Sequence, residues 1–307
     1  MKYYSLNYNS QDVSFLDAVR KGLAPDRGLY FPSDIKKLPN TFFENIRNLS
    51  DHEIAFQVIH QFVGGDIPDS RLKKIVEETL SFDFPIVPIT DSIATLELFQ
   101  GPTLAFKDVG ARFMARCLAY ANEVEKKEKL TILVATSGDT GGAVADGFYK
   151  VDGINVVILY PKGKVSEIQE KQLTTLGENI KAIEVDGVFD DCQDMVKSAF
   201  IDNDLIQNVA LTSANSINIA RWLSQMFYYF IAYKNRLHPE KKLVVSVPSG
   251  NFGNLCAGLV AKKMGLPIDQ FIASTNINDT VPDYLNSGTY TPKKSKATLS
   301  NAMDVGD

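Results

Sequence analysis

The sequence predicts an α/β protein built on parallel β-sheet with helices over both faces. Three observations carry that expectation. Short, continuously apolar runs alternate with amphipathic helical patterns from about residue 130 onward. Two of those runs lead into a glycine-rich turn that opens a helix. The length of 307 residues suits about two domains of ~150 residues each. Strands that read as unbroken apolar runs are buried on both faces, and the helical crossovers of a parallel sheet provide that cover.

In chain order, residues 1–90 are the least regular. "DHEIAFQVIHQFVG" and "DSRLKKIVEETL" read there as amphipathic helices. "LTILVA" (130–135) is the first buried strand, followed by a glycine turn and the helical "AVADGFY". "INVVILY" (154–160) is the second. The helix "SEIQEKQLTTLG" follows, with Ser166 and Gln169 as a capping box and Gly177 as its stop. "IKAIEV" (180–185) is the third strand, and "DDCQDMVKSAF" its helix, with the acids of "DGVFDDCQD" at the helix start. "INIARWLSQMFYYFIAY" (217–233) predicts one long, largely buried helix. "LVVSV" (243–247) is the fourth strand, again running into a glycine turn and a helix. The chain divides into a mainly helical segment (1–90), a smaller α/β unit (91–212) and the first part of a larger one (213–307). The closing "ATLSNAMDVGD" stops with neither a helix nor a polar tail, so the second unit is expected to be cut short.

Apolar residues make up 45% and charged residues 22%, a balance that supports ordinary globular cores. The net charge of −5 argues against nucleic-acid or anionic-membrane partners, which require a basic surface. No apolar run approaches the ~18 residues of a spanning helix, and the N-terminus lacks a signal-peptide core. A cytoplasmic protein is expected, a monomer or weak homo-oligomer. Cys117, Cys192 and Cys256 lie far apart and read as small buried hydrophobes in a reducing compartment. His52, His60 and His238 show no metal-ligand spacing.

Three stretches carry chemistry. "VPSGNFGNLCAGL" places Gly250, Asn251, Phe252, Gly253 and Asn254 between a strand and a helix, where free N–H groups and the helix dipole favour an anion. It lacks both G-x-x-x-x-G-K and G-x-G-x-x-G. "ATSGDTGGAVADGF" repeats the arrangement, with Ser137, Gly138, Asp139 and Thr140 in the turn. Each turn alone also reads as a βα connection that needs glycine. The third stretch, "GPTLAFKDVGARF", sets Lys107 after an apolar flank at a helix start.

A lysine nucleophile must be neutral, yet its reference pKa of ~10.4 lies about three units above neutrality, roughly 4–5 kcal/mol. A helix N-terminus contributes only ~0.3–1 kcal/mol. Burial shifts a lysine by up to ~3–5 units, so desolvation has to supply most of the change. A neutral Lys107 near two anion-binding turns suggests a Schiff base with pyridoxal 5'-phosphate. A lysine lying over a helix end with its ammonium in water is the open alternative.

These stretches, with "YPKGKVSEIQEKQLTTLG", "SANSINIARW", "NINDTVPDYL" and "VSFLDAVRKGLAPDRGLYFP", resemble the threonine synthase family along the whole chain. The resemblance is to its longer-chain class, within the fold-type II pyridoxal-phosphate enzymes. It implies two parallel-sheet αβα domains with the cofactor in the cleft between them, the second incomplete here. It also implies a lyase that converts O-phosphohomoserine and water to threonine and phosphate by elimination and replacement. By that resemblance Lys107 holds the cofactor and shuttles protons, Gly250 to Asn254 hold the cofactor phosphate, and Asp139 lines the cofactor. Ser137, Gly138 and Thr140 would bind the substrate carboxylate. The "N-S-[IV]-N-x-x-R" stretch, here Asn215, Ser216, Ile217, Asn218 and Arg221, would grip the substrate phosphate, and Lys162 and Lys164 would steer it. The wider superfamily often carries asparagine where Asp139 stands. The family's chains run on beyond residue 307, so a fragment is expected, and its own activity stays open. Open alternatives are another fold-type II lyase, such as a serine/threonine dehydratase or an O-acetylserine sulfhydrylase, and a non-catalytic homologue that binds phosphate ligands.

Overall fold

The structure, a computed structural model, describes residues 1–125, 129–296, 298, 299 and 304. The expected blunt ending falls mainly outside them. The N-terminal part contains strand β1 (Tyr3–Ser5), helix α1 (Phe15–Lys21) and strand β2 (Tyr30–Pro32), the two strands pairing antiparallel. A short helix α2 (Asn40–Asn45) leads to α3 (Asp51–Val63) and α4 (Asp69–Thr79). Helix α3 starts at a complete capping box, Ser50 with Glu53, a device that stabilises a helix by ~1 kcal/mol. Ile54, Val58, Phe62 and Leu72, Ile75, Val76 turn the apolar stripes of α3 and α4 into one core, as the sequence period predicts.

A small antiparallel hairpin, β3 (Ile86–Pro88) with β4 (Ala94–Leu96), precedes the 19-residue helix α5 (Lys107–Glu125). Then comes the alternation: β5 (Leu130–Ala135), α6 (Asp139–Phe148), β6 (Ile154–Pro161), α7 (Glu167–Thr174) and β7 (Ile180–Val185). Helices α8 (Phe189–Ala199) and α9 (Asn203–Asn208) follow, then β8 (Ala210–Ser213). The four strands form one parallel sheet in the order β7-β6-β5-β8, with Leu130 opposite both Ile154 and Ala210. Their carboxyl ends therefore share one edge, and the turn after β5 projects from it. Strand β8 was not anticipated, because four residues, two of them hydroxylic, carry too little apolar pattern.

The single long helix expected over 217–233 is two helices, α10 (Ile219–Leu223) and α11 (Met226–Asn235). Ser224 Oγ donates to the Ala220 carbonyl and Gln225 Nε2 to the Arg221 carbonyl, each at 3.0 Å. Those side chains occupy acceptors that the next backbone amides would use. The N–H groups of Gln225 and Phe227 drop back to Trp222 and Ser224, both at 3.1 Å, a 3₁₀ step that resets the axis. Beyond it, "FYYFIAY" is core as expected, with Phe227, Tyr228, Phe230 and Ile231 buried.

Strand β9 (Val244–Pro248), helix α12 (Gly253–Lys263) and strand β10 (Gln270–Ser274) form a second parallel βαβ unit, followed by α13 (Thr280–Ser287). In this incomplete second unit Val244 is 46% and Ile272 48% exposed, so its strands lack the full cover of the first sheet. Cys117 and Cys192 are buried and Cys256 is half-buried, all three as free thiols.

Candidate active site

The loop before α5 is tied down so that Lys107 is the first helical residue. The Asp108 carboxylate accepts from the Thr103 amide at 3.0 Å and from the Thr103 hydroxyl. An acid in this first turn also suits the helix dipole. The buried Tyr228 hydroxyl donates to the Phe106 carbonyl. Across α5, a Cβ at Gly110 would lie 2.6 Å from the Arg221 carbonyl oxygen, so the glycine lets α5 and α10 meet backbone to backbone.

Lys107 itself is 7% exposed, with Nζ 5.7 Å from the centre of the Phe106 ring. Its Nζ stands 2.9 Å from Asp139 Oδ2. Burial lowers the pKa of this amine from its ordinary value; the Asp139 charge opposes that shift and the Arg221 charge adds to it. The burial that the sequence required is present, although Leu104 of the apolar flank is itself 67% exposed, and a carboxylate partner is built in as well.

Arg221, on α10, is 1% exposed. Its Nη1 donates to the Ala214 carbonyl, and its Nε has no partner among the described residues. Burial pushes its pKa down to about 10, against the attraction of Asp139, Tyr228 and Asp108. A buried guanidinium with unused donors is suited to a bidentate anion.

The turn after β5 is closed by its own side chains. Thr136 Oγ1 accepts from the amides of Gly138 at 3.0 Å and Gly141 at 2.8 Å. Asp139 Oδ1 accepts from the Thr140 amide at 2.9 Å. Gly138, at φ +143, lies under the Gln169 carboxamide, whose Cδ would be 2.6 Å from an added Cβ. Gln172, one helical turn on, donates to the Thr103 carbonyl at 3.3 Å and so joins α7 to the lysine loop. The expected capping box is thus only half formed: the Gln169 amide donates to Ser166 Oγ, while Gln169 Oε1 accepts from the Ser166 hydroxyl at 3.0 Å rather than from its backbone N–H and lies over Gly138.

The turn after β9 is open. No side chain among the described residues caps α12, and its N-cap Phe252 carries the left-handed backbone, φ 56. An added Cβ at Gly253 would find Ser216 O at 3.9 Å and Trp222 Cβ at 4.0 Å, so the protein itself leaves room there. Asn254 Oδ1 accepts from the Tyr229 hydroxyl at 2.6 Å, and its Nδ2 donates to Gln225 Oε1 at 3.1 Å. Gln225 in turn holds the Arg221 carbonyl at 3.0 Å. This chain of bonds links the open turn to the arginine helix.

Helix α10 thus brings Lys107, Asp139, Arg221, Ser216 and the turn at Gly253 into one neighbourhood. Asn218 is a different matter. Its Oδ1 accepts from the Ala220 amide at 3.1 Å as N-cap of α10, and its Nδ2 donates to the Val19 carbonyl at 2.8 Å. Fully buried, it anchors α10 to the N-terminal segment rather than offering its amide to a ligand. Lys162 is exposed beyond β6, its backbone amide bonded to Val185 O at 2.9 Å. Sequence reasoning missed Thr136, Gln172 and Gln225; only Thr136, directly before the turn, carried any local signal.

The residues present fit an aldehyde cofactor with a phosphate: a buried amine at Lys107 and an uncapped helix start at Gly253. Residues 2–80 match the family described as threonine synthase N terminus, and residues 91–307 the pyridoxal-phosphate-dependent enzymes. The threonine synthase of Haemophilus influenzae is 51% identical over 307 residues, covering 99% of this chain and 71% of its own length. The crystal structure of the Escherichia coli threonine synthase superposes with a TM-score of 0.91 at 48% identity, covering 100% of this chain and 71% of that one. A threonine synthase from Brucella melitensis, solved with pyridoxal phosphate bound, gives 0.94 at 40% identity, covering 100% and 67%. The chain belongs to the threonine synthase family of pyridoxal-phosphate-dependent lyases.

Proposed function

We propose that the substrate is O-phosphohomoserine, which water converts to threonine and phosphate. The observation that carries this reading is Arg221. A second anion ligand, buried and with an Nε that has no partner among the described residues, stands beside Lys107 and is a different group from the backbone amides of the turn at Gly253. One anion site suits the cofactor phosphate, and the other suits a phosphate that is both handle and leaving group.

Gly250, Asn251, Phe252 and Gly253 would hold the cofactor phosphate through backbone amides and the α12 dipole. Asn254 would set the turn's shape through Tyr229 and Gln225. Pyridoxal phosphate, when bound, supplies an electron sink for charge developed at the substrate's reacting carbons. Lys107 would move protons at the substrate Cα and Cβ from Nζ, its lowered pKa making the neutral amine accessible. Ser137 and Thr140 would orient the substrate carboxylate through their hydroxyls, with Gly138 shaping the turn because its amide is held by Thr136. Arg221 and Ser216 would hold the departing phosphate, with Lys162 steering it inward, while Asn218 would fix the direction of α10. We also place the protein in the cytoplasm, on its free cysteines and its charge; no described helix is long and apolar enough to cross a membrane.

Borohydride reduction of the cofactor-loaded protein and peptide mapping test the assignment of the lysine. The pyridoxyl group is expected on Lys107. Finding it on Lys162, Lys164 or Lys171 would overturn the assignment.

A further inference from the structure

We propose that Asp139 is the proton partner of Lys107: it holds the lysine as a paired ammonium before the cofactor attaches and takes its proton when the nitrogen becomes a nucleophile. The inference rests on Lys107 being the cofactor lysine.

The geometry is direct. Asp139 Oδ2 is 2.9 Å from Lys107 Nζ, and the two side chains are 16% and 8% exposed. The other carboxylate oxygen, Oδ1, accepts from the Thr140 amide at 2.9 Å, which fixes the group from the first turn of α6. The groups around Nζ on the other elements do not compete. Arg221 on α10 is a cation. Phe106 offers only its ring, 5.7 Å away. Asp108 is turned to Thr103, and Tyr228 on α11 donates to the Phe106 carbonyl.

The transfer balances within the pair. One Nζ–H bond breaks, an O–H bond forms on Oδ2, and Nζ keeps the electron pair. Ammonium and carboxylate become amine and carboxylic acid, so the pair carries zero net charge before and after. A buried pocket penalises an isolated charge heavily and a neutral pair far less. Lys107 would then hold the cofactor through this neutral Nζ, and its two remaining N–H protons would leave with the aldehyde oxygen as water. In its acid form Asp139 also becomes a hydrogen-bond donor, which a carboxylate is not. The turn after β5 therefore does more than line the site; it aims a proton acceptor at the lysine.

The test uses cofactor-free protein and does not depend on turnover. Reductive methylation of Lys107 with formaldehyde and cyanoborohydride, followed across pH by peptide mass spectrometry, gives the midpoint at which the amine becomes neutral. Asp139→Asn retains an acceptor for the Thr140 amide and removes the charge. Its midpoint is expected at least about one pH unit below the parent's, which is about tenfold more reactive amine at a fixed pH below both midpoints. A merely structural role would lower the melting temperature and leave the midpoint in place, and a folded variant with an unchanged or raised midpoint overturns the proposal. Should the asparagine variant not fold, Asp139→Ser makes the same comparison. Borohydride mapping of the parent separates the two ideas. A pyridoxyl group elsewhere removes the Lys107 reading, whereas labelling at Lys107 with an unmoved midpoint removes only Asp139.

Discussion

The glycine turns after β5 and β9 look alike as sequence and are built in opposite ways. In "TSGDTGG", Thr136 accepts from two backbone amides and Asp139 from a third, so the turn satisfies itself. In "PSGNFG" no side chain among the described residues caps the helix, and the Ser249 hydroxyl turns back to the Val247 carbonyl at 2.8 Å. The first turn has few amides left for an anion and serves to aim its side chains, Asp139 above all. Among the described residues the second has no such hydroxyl beneath it, which suits the anion role proposed for it. Glycine content does not distinguish them. A hydroxyl placed beneath the turn does.

The strongest test of this division is Arg221, which lies between the turns. In a closed pocket a lost charge partner costs ~2–5 kcal/mol, so Arg221→Ala should lose roughly 30- to 5000-fold in turnover of O-phosphohomoserine. The cofactor's absorbance should persist, because the site proposed for its phosphate is the open turn and not Arg221. Arg221→Lys should recover only part of the rate, keeping charge without the planar fork. Parental turnover in the alanine variant would mean that the second anion site does not exist.

Two substitutions then set the turns against each other. Thr136→Val orphans two buried N–H groups and should cost about 2–6 kcal/mol of stability, with little change in cofactor affinity. Gly253→Ala should do the reverse. Its Cβ meets no protein atom closer than 3.9 Å, so melting should be unchanged while cofactor affinity drops by about tenfold, ~1.4 kcal/mol. Thermal melts beside an absorbance titration measure both. A swapped outcome would reverse the roles given to the turns.

The smallest effect concerns pH. Burial lowers the folded-state pKa of Lys107, so the folded chain binds fewer protons there than the unfolded chain between the two pKa values. The cost of the buried charge is fully present below the folded pKa and disappears as pH rises to the unfolded value near 10.4. The parent should therefore gain stability relative to Lys107→Met as pH increases over that window. Denaturant midpoints of the pair at several pH values check the sign, and a gap that moves the other way would show that Asp139 outweighs burial.

Much of the architecture was legible in the residues. The strand 130–135 forms as read, because a continuous apolar run has one stable place inside a parallel sheet, and 180–185 forms as read at the sheet edge, with Lys181, Ile183 and Glu184 exposed. Helices α3 and α4 were visible through their 3.6-residue period. The break between α10 and α11 was not, since it arises from two polar side chains competing for carbonyls inside an apolar pattern. Strand β8 was too short to announce itself. Asn218 stood within a motif that implied a ligand, and its amide proved to be bound at both ends by backbone groups, one of them on α1.

The sequence by itself determined the kind of chemistry: a lysine after an apolar flank, two glycine turns at strand ends, and an arginine in an apolar helix. These are local signals, set by what a side chain or a glycine permits in its own few residues. Only the tertiary structure decided which groups act on one another. Lys107 and Asp139 are 32 positions apart, and α5 and α6 must pack before Nζ and Oδ2 come within 2.9 Å. Arg221 meets them only because Gly110 lets α10 approach α5 closely. Charge and desolvation act through space, so the pKa of Lys107 follows from three elements that only folding brings together.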